Sequence, residues 1–213
     1  MSLATLKAKV EQLIAKAQNG GEDSLGGYLT KTLKHWKSDI VTELPAQNYF
    51  LGFTSLVSVD LPNLTTMKDY TFSGCTSLTS TNLPKVTYVG AESYKNCAVE
   101  SLSFPKVATV YTQSFSGATN LKIVDFGVAV NFTRTFAFSN CNSFDTLILR
   151  GDTVSTLSNI NNFDGGAFAS GKSGGTIYVP SALVESYKTA TNWSALYNAG
   201  RCNFVAIEGS EYE

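Results

Sequence analysis

Apolar residues recur along most of this chain as a fixed comb. Phe50, Phe72, Tyr94, Phe115 and Phe138 lie 22, 22, 21 and 23 residues apart. Each is followed about six positions on by an apolar residue (Leu56, Leu78, Val99, Leu121, Phe144) and near eleven by another (Leu61, Leu83, Phe104, Phe126, Leu149). One such unit cannot bury its apolar face alone, so neighbours must stack. The pattern predicts an α/β-type repeat solenoid, strand-rich, with one short parallel strand per repeat about 4.8 Å from the next.

Pro62, Pro84 and Pro105 stand directly after the second comb residue. Lacking a backbone donor, each ends the strand and turns the chain. A second short extended stretch follows, carried by Leu64 and Met67, Val86 and Val89, Val107 and Val110. Later the pattern degrades: Arg150 replaces the proline, and Gly151 to Gly165 reads as a polar loop before a sixth anchor at Phe168. Thr176-Ile177-Tyr178-Val179-Pro180 restores strand and proline. Ser181 is then placed to cap a helix running to about Thr189, and a strand from Asn203 to Ile207 closes the chain.

Ahead of the repeats, Leu3, Leu6, Val10, Leu13 and Ala17 fall on one helical stripe, ended by Asn19-Gly20-Gly21. A lone helix of this length is marginal in water. Three fates stay open: docking on the repeats, a mobile tail, or a homo-oligomer through Leu3, Leu6, Val10 and Leu13. Residues 20–30 read as a glycine-rich linker. Residues 31–47 are irregular, with Leu33, Trp36, Ile40, Val41 and Leu44 available to close the open end of a stack. The expected domains are 1–20 (helix), 21–48 (linker and degenerate cap), 49–180 (about six repeats) and 181–213 (C-terminal cap).

These residues resemble the BspA-type leucine-rich repeats of bacteria and some protists, whose unit reads aromatic, x, glycine or asparagine, cysteine, x, x, leucine, then a strand ending in leucine-proline. Phe72-x-Gly74-Cys75-x-x-Leu78 and Phe138-x-Asn140-Cys141-x-x-Phe144 carry the pattern, with Tyr94-x-Asn96-Cys97 beside them. The resemblance covers about residues 49–180. It implies a surface adhesion or interaction protein. The lysine-leucine helix and glycine linker look more like prophage-encoded relatives.

Composition narrows the function. With 213 residues and 43% hydrophobic content, one domain can bury roughly 70% of its unfolded surface. A net charge of -1 supplies no field for a phosphate backbone, which argues against nucleic acid. No run of roughly 18 apolar residues exists, so membrane insertion is not expected. The N-terminus lacks a secretion-signal pattern, and localisation stays open among cell surface, phage particle and cytoplasm.

Candidate chemistry is sparse. Cys75, Cys97 and Cys141 share one repeat position, with Ala118 filling it between, and read as buried free thiols; their spacing holds no close metal-ligand pair. His35 is the single histidine, without a nucleophile elbow, and Lys31, Lys34 and Lys37 read as a solvated helix face. Neither His35 nor Cys202 can be placed. Asp60 and Asp125 fall three units apart, about 14 Å by strand spacing, too far to act as paired acids. No cofactor, metal or catalytic residue is expected. What remains is the outward face of the strand ladder: Ser58, Asp60, Ser80, Asn82, Ser101, Ser103, Ile123, Asp125, Thr146 and Ile148. The reading is a non-enzymatic module presenting this rigid surface to a protein or glycan. The alternative is a structural subunit of a phage particle or surface assembly, joined through the N-terminal helix.

Overall fold

The computed structural model describes residues 31–44 and 46–213. The predicted helix bearing Leu3, Leu6, Val10 and Leu13, and the linker after it, lie outside the described residues. Within them the chain is a strand-rich stack of parallel ladders with few helices.

Two strand series run through the stack. The first comprises β1 (His35–Lys37), β2 (Ser58–Asp60), β3 (Ser80–Asn82), β5 (Ser101–Phe104), β7 (Ile123–Phe126), β9 (Thr146–Leu149), β11 (Gly175–Val179) and β12 (Cys202–Ala206). The second, from the stretch after the proline, comprises β4 (Tyr88–Val89), β6 (Thr109–Val110), β8 (Asn131–Phe132) and β10 (Thr156–Leu157). Each middle unit thus supplies two strands where one was expected, because Val86-to-Val89-type stretches pair with one another as well as pointing inward. The first series splits into β1-β2-β3 and β5-β7-β9-β11-β12. The split coincides with a deletion: Ser80 lies five positions after Cys75, but Ser101 four after Cys97. β3 and β5 are not paired with each other.

A third ladder runs beside the anchors. The N–H groups of Phe50, Phe72, Tyr94, Phe115 and Phe138 donate to carbonyls of Thr71, Ser93, Ser114, Ala137 and Asn162, each one residue before the next coil's anchor. Aiming every second N–H at the next coil requires left-handed turns on both sides of the anchor. Two residues after it stand Gly52, Gly74, Asn96, Gly117 and Asn140, all at positive φ. The glycine-or-asparagine of the repeat is therefore a backbone requirement, met by the residues with the least left-handed penalty. Two residues before the anchor, Asn48, Tyr70, Glu92, Gln113 and Phe136 adopt the same conformation with φ of 53–65°.

The anchors form one buried column. Ring centroids are 5.5 Å apart for Phe50–Phe72, 5.4 Å for Phe72–Tyr94, 5.9 Å for Tyr94–Phe115 and 4.9 Å for Phe115–Phe138. Burying each such ring contributes about 1.5–3 kcal/mol by area. The column continues to Phe163, stacked on Phe138 at 5.2 Å, which corrects the expected sixth anchor. Phe168 instead packs on Phe144, as the first comb residue of its unit. The presumed polar loop thus contains a strand, β10, and an anchor on the 3-10 turn Ile160–Phe163. Cys75, Cys97 and Cys141 donate their thiols to the Phe50, Phe72 and Phe115 carbonyls at 3.0–3.1 Å. All four cysteines are free and buried, with Cys202 opening β12.

Both ends differ from expectation. His35-Trp36-Lys37 is no helix face: its polar-apolar-polar alternation makes it the first rung, paired with Ser58-Val59-Asp60, and Trp36 packs against Phe50. At the other end Ser181 does not cap a helix through its side chain. It opens a 3-10 turn, Ser181–Leu183, that leads into α1 (Val184–Thr189), and its N–H donates to Glu208. Side chains of α1 and α2 (Trp193–Asn198) close the open edge at β10. Ser155 N–H donates to the Tyr187 hydroxyl at 2.9 Å, Trp193 Nε1 to the Ser155 carbonyl at 2.7 Å, and Asn192 to the Leu157 carbonyl at 2.6 Å. Buried Arg201 binds the Phe168 and Phe163 carbonyls at 2.7 and 2.6 Å.

Candidate interaction surface

Alternation along each strand decides which side chains leave the core. In β5, Leu102 and Phe104 are buried while Ser101 and Ser103 are exposed; β7 repeats this with Val124 and Phe126 inward and Ile123 and Asp125 partly exposed. Parallel pairing without slippage then aligns Ser58 with Ser80, Asp60 with Asn82, Ser101 with Ile123 and Thr146, and Ser103 with Asp125 and Ile148. The ten predicted residues therefore form two groups, Ser58, Asp60, Ser80 and Asn82 on one sheet and the other six on the next.

Ile148 corrects the expectation of an outward, accessible residue: it is only 2% exposed. The C-terminal segment folds back over this end of the face. Tyr212 packs edge-on at 4.7 Å to Tyr178, the in-register neighbour of Ile148 on β11. The fully open part of the surface is Ser80, Asn82, Ser101 and Ser103.

Charges on the face are paired locally. Asp60 accepts from Lys37 Nζ and Asn82 Nδ2, both at 2.8 Å, and these bonds hold its carboxyl below the usual range. Asp125 receives Arg150 Nε on both oxygens, at 2.9 and 3.1 Å. Each acid thus has its own cation and lies on a different sheet, with no cleft between carboxylates. His35 Nδ1 lies 2.8 Å from Ser58 Oγ on the exposed face, and no carboxylate bonds to the ring among the described residues. Nor does any group of three His, Cys, Asp or Glu among them offer a metal site. Among the described residues no helix is long and apolar enough to cross a membrane.

Sequence reasoning missed a second feature, a cleft of about 420 Å³ lined by Gln47, Lys68, Asp69, Tyr88, Ala91, Tyr111, Thr112 and Arg134. Its signal was present in the repeat alignment. Four residues before successive anchors stand Lys68, Gly90, Tyr111 and Arg134, and three before stand Asp69, Ala91, Thr112 and Thr135. One coil carries almost no side chain between neighbours that do.

The sequence model for the BspA type leucine rich repeat region matches residues 45–173 and 87–196, with 6 copies. No curated protein matches the chain.

Proposed function

Because the chain belongs to the BspA type leucine rich repeat family, we propose that it is a non-enzymatic interaction module whose strand face is the contact surface for a protein or glycan, in an adhesive role. Its repeats would form one continuous solenoid, and the recognition mechanism is rigid display. The observation that carries this reading is the run of small, exposed polar side chains at the adjoining ends of two sheets, Ser80 and Asn82 on one and Ser101 and Ser103 on the next, each on a backbone hydrogen-bonded within its own sheet. Such groups meet a partner with little ordering cost. Their short side chains and even spacing suit an extended, flat ligand, and the local pairing of Asp60 and Asp125 leaves no uncompensated charge to demand a strongly charged one.

An array of immobilised proteins and glycans, probed with the wild-type chain and with Ser103→Arg, Asn82→Arg and Asn120→Arg, tests the reading. Wild type and Asn120→Arg should share at least one bound target that both face variants lose by about tenfold or more, the cost of a bulky charge in a contact centre. Equal binding by all four proteins would place the contact elsewhere.

A further inference from the structure

The notch at Gly90-Ala91 is a separate site. Its floor and walls are built by five successive coils, those carrying Gln47, Lys68, Ala91, Tyr111 and Arg134. Tyr88 on β4 and Tyr111 just after β6 stand with ring centroids 5.9 Å apart at 75°, forming an apolar corner. Tyr111 is 39% exposed. Lys68 lies on one side, held by Glu43 at 3.1 Å and by the Leu44 carbonyl at 2.9 Å. Arg134 lies on the other, exposed, with no carboxylate paired to it among the described residues. Gly90 is required here for a geometric reason: a Cβ on it would come within 2.6 Å of the Lys68 carbonyl carbon. The tight approach of these two coils both forbids a side chain and opens the space above it.

We propose that this notch binds an oligosaccharide bearing a carboxylate, one sugar packed on the Tyr88–Tyr111 corner and its acid group against Arg134. An aromatic face is electron-rich and attracts the polarised C–H groups of a sugar ring. Of the remaining polar lining groups, Gln47, Thr112 and Lys68 are hydrogen-bonding side chains suited to hydroxyls, and Asp69, whose Oδ1 accepts from Ala91 N–H at 2.8 Å, is a further hydroxyl acceptor on the side away from Arg134. A guanidinium fits a carboxylate with two parallel bonds. A peptide strand is disfavoured, because β6 is paired on both sides and the outer edge of β4 is bridged to Met67, which leaves no free edge for backbone addition. The site shares no residue with the strand face, so either can fail without the other.

Titration calorimetry of the full chain with a hyaluronan tetrasaccharide, chitotetraose and a tetraglutamate peptide tests the proposal. The hyaluronan fragment should bind most tightly, with a dissociation constant below about 1 mM. Arg134→Gln should weaken that fragment about tenfold and leave the uncharged chitotetraose unchanged, while Ala91→Phe, which fills the notch, should abolish both. Should Ala91→Phe fail to fold, Tyr111→Ala removes an exposed ring instead and should weaken both sugars. No hyaluronan binding up to about 10 mM, undiminished binding by the filled or ring-deleted variant, or equal binding of the peptide would overturn it.

Discussion

The hydroxyls of Thr81 and Tyr94 lie 2.9 Å apart at the edge of an otherwise apolar column. Among the anchors from Phe50 to Phe138 Tyr94 alone carries a polar atom, and Thr81 replaces the aliphatic residue found at Val59 and Leu102. The pair is mutually satisfying across the coil where the first strand series breaks. Burial pushes the Tyr94 phenol above its ordinary pKa, so it stays neutral at any working pH.

A double-mutant cycle on this pair has a definite expected shape. Thr81→Val strands the Tyr94 hydroxyl in the core and should cost about 1–3 kcal/mol, whereas Tyr94→Phe leaves a part-exposed threonine and should cost less. The double variant should be closer to wild type than Thr81→Val alone. Urea unfolding midpoints measure this; strict additivity would show that the two hydroxyls are not coupled.

The buried thiols predict a pH limit. Desolvation pushes Cys75 and Cys141 up to about 12, and Cys97 well above the ordinary thiol value of 9.0. In the unfolded chain these thiols ionise near pH 9, before their folded counterparts, so the unfolded state sheds protons first. Stability is therefore complete below pH 9 and falls as pH rises towards 12, by up to about 1.4 kcal/mol per pH unit per thiol. Denaturation from pH 8 upwards should show this slope, and Cys141→Ala should flatten it. A thiol reagent should leave the folded protein unmodified and label four cysteines once denaturant is added.

Left-handed positions make opposite predictions on the two sides of an anchor. Phe136 holds φ of 65° with its ring 39% exposed, so Phe136→Gly should relieve backbone strain and lose little packing, stabilising by about 0.5–1 kcal/mol. Gly117→Ala should do the reverse. Its φ is 74°, and a Cβ would lie 2.2 Å from Asn96 Oδ1, so a loss of about 1–3 kcal/mol is expected from thermal unfolding.

Much of this architecture was legible because it repeats. The aromatic anchor and the apolar residue five or six positions on recur in five units, with a cysteine three past the anchor in three of them, and a local rule stated so often identifies itself. The misreadings share a cause, since each lies where a unit departs from the period. Phe163 follows Phe138 by 25 residues and lacks the cysteine three positions on, although Phe163-Asp164-Gly165 keeps the aromatic-x-glycine signature. At that third position stands Gly166, where a Cβ would meet the Phe144 carbonyl oxygen at 1.9 Å, leaving no room for a thiol. His35-Trp36-Lys37 was hidden by its lysines, which suggested a helix. Neither exception required long-range information, and a stricter alignment of alternation would have found both.

Ile148 is a different case, because local alternation places it outward, yet it is buried beside Tyr178, on which the C-terminal Tyr212 packs. The C-terminal segment is held by few contacts: the Tyr178–Tyr212 ring pair at 4.7 Å and the turn at Ile207 to Ser210, closed by a backbone bond of 3.0 Å and the Ser210 hydroxyl on the Ile207 carbonyl at 2.7 Å. An edge-to-face pair is worth only about 0.5–1.5 kcal/mol beyond its buried area, far less than the stack beneath it. Local opening should therefore precede global unfolding. Removing residues 210–213 should leave the unfolding midpoint within a few degrees of wild type, yet raise hydrogen exchange over Thr146–Leu149 and expose Ile148 and Tyr178 as an apolar extension of the strand face. Tyr212→Ala should produce most of that increase, and Tyr212→Phe, which keeps the ring, little of it. If exchange across Thr146–Leu149 is unchanged in all three variants, the segment contributes no cover in solution, and the burial of Ile148 must come from its neighbours Asp125 and Tyr178 alone.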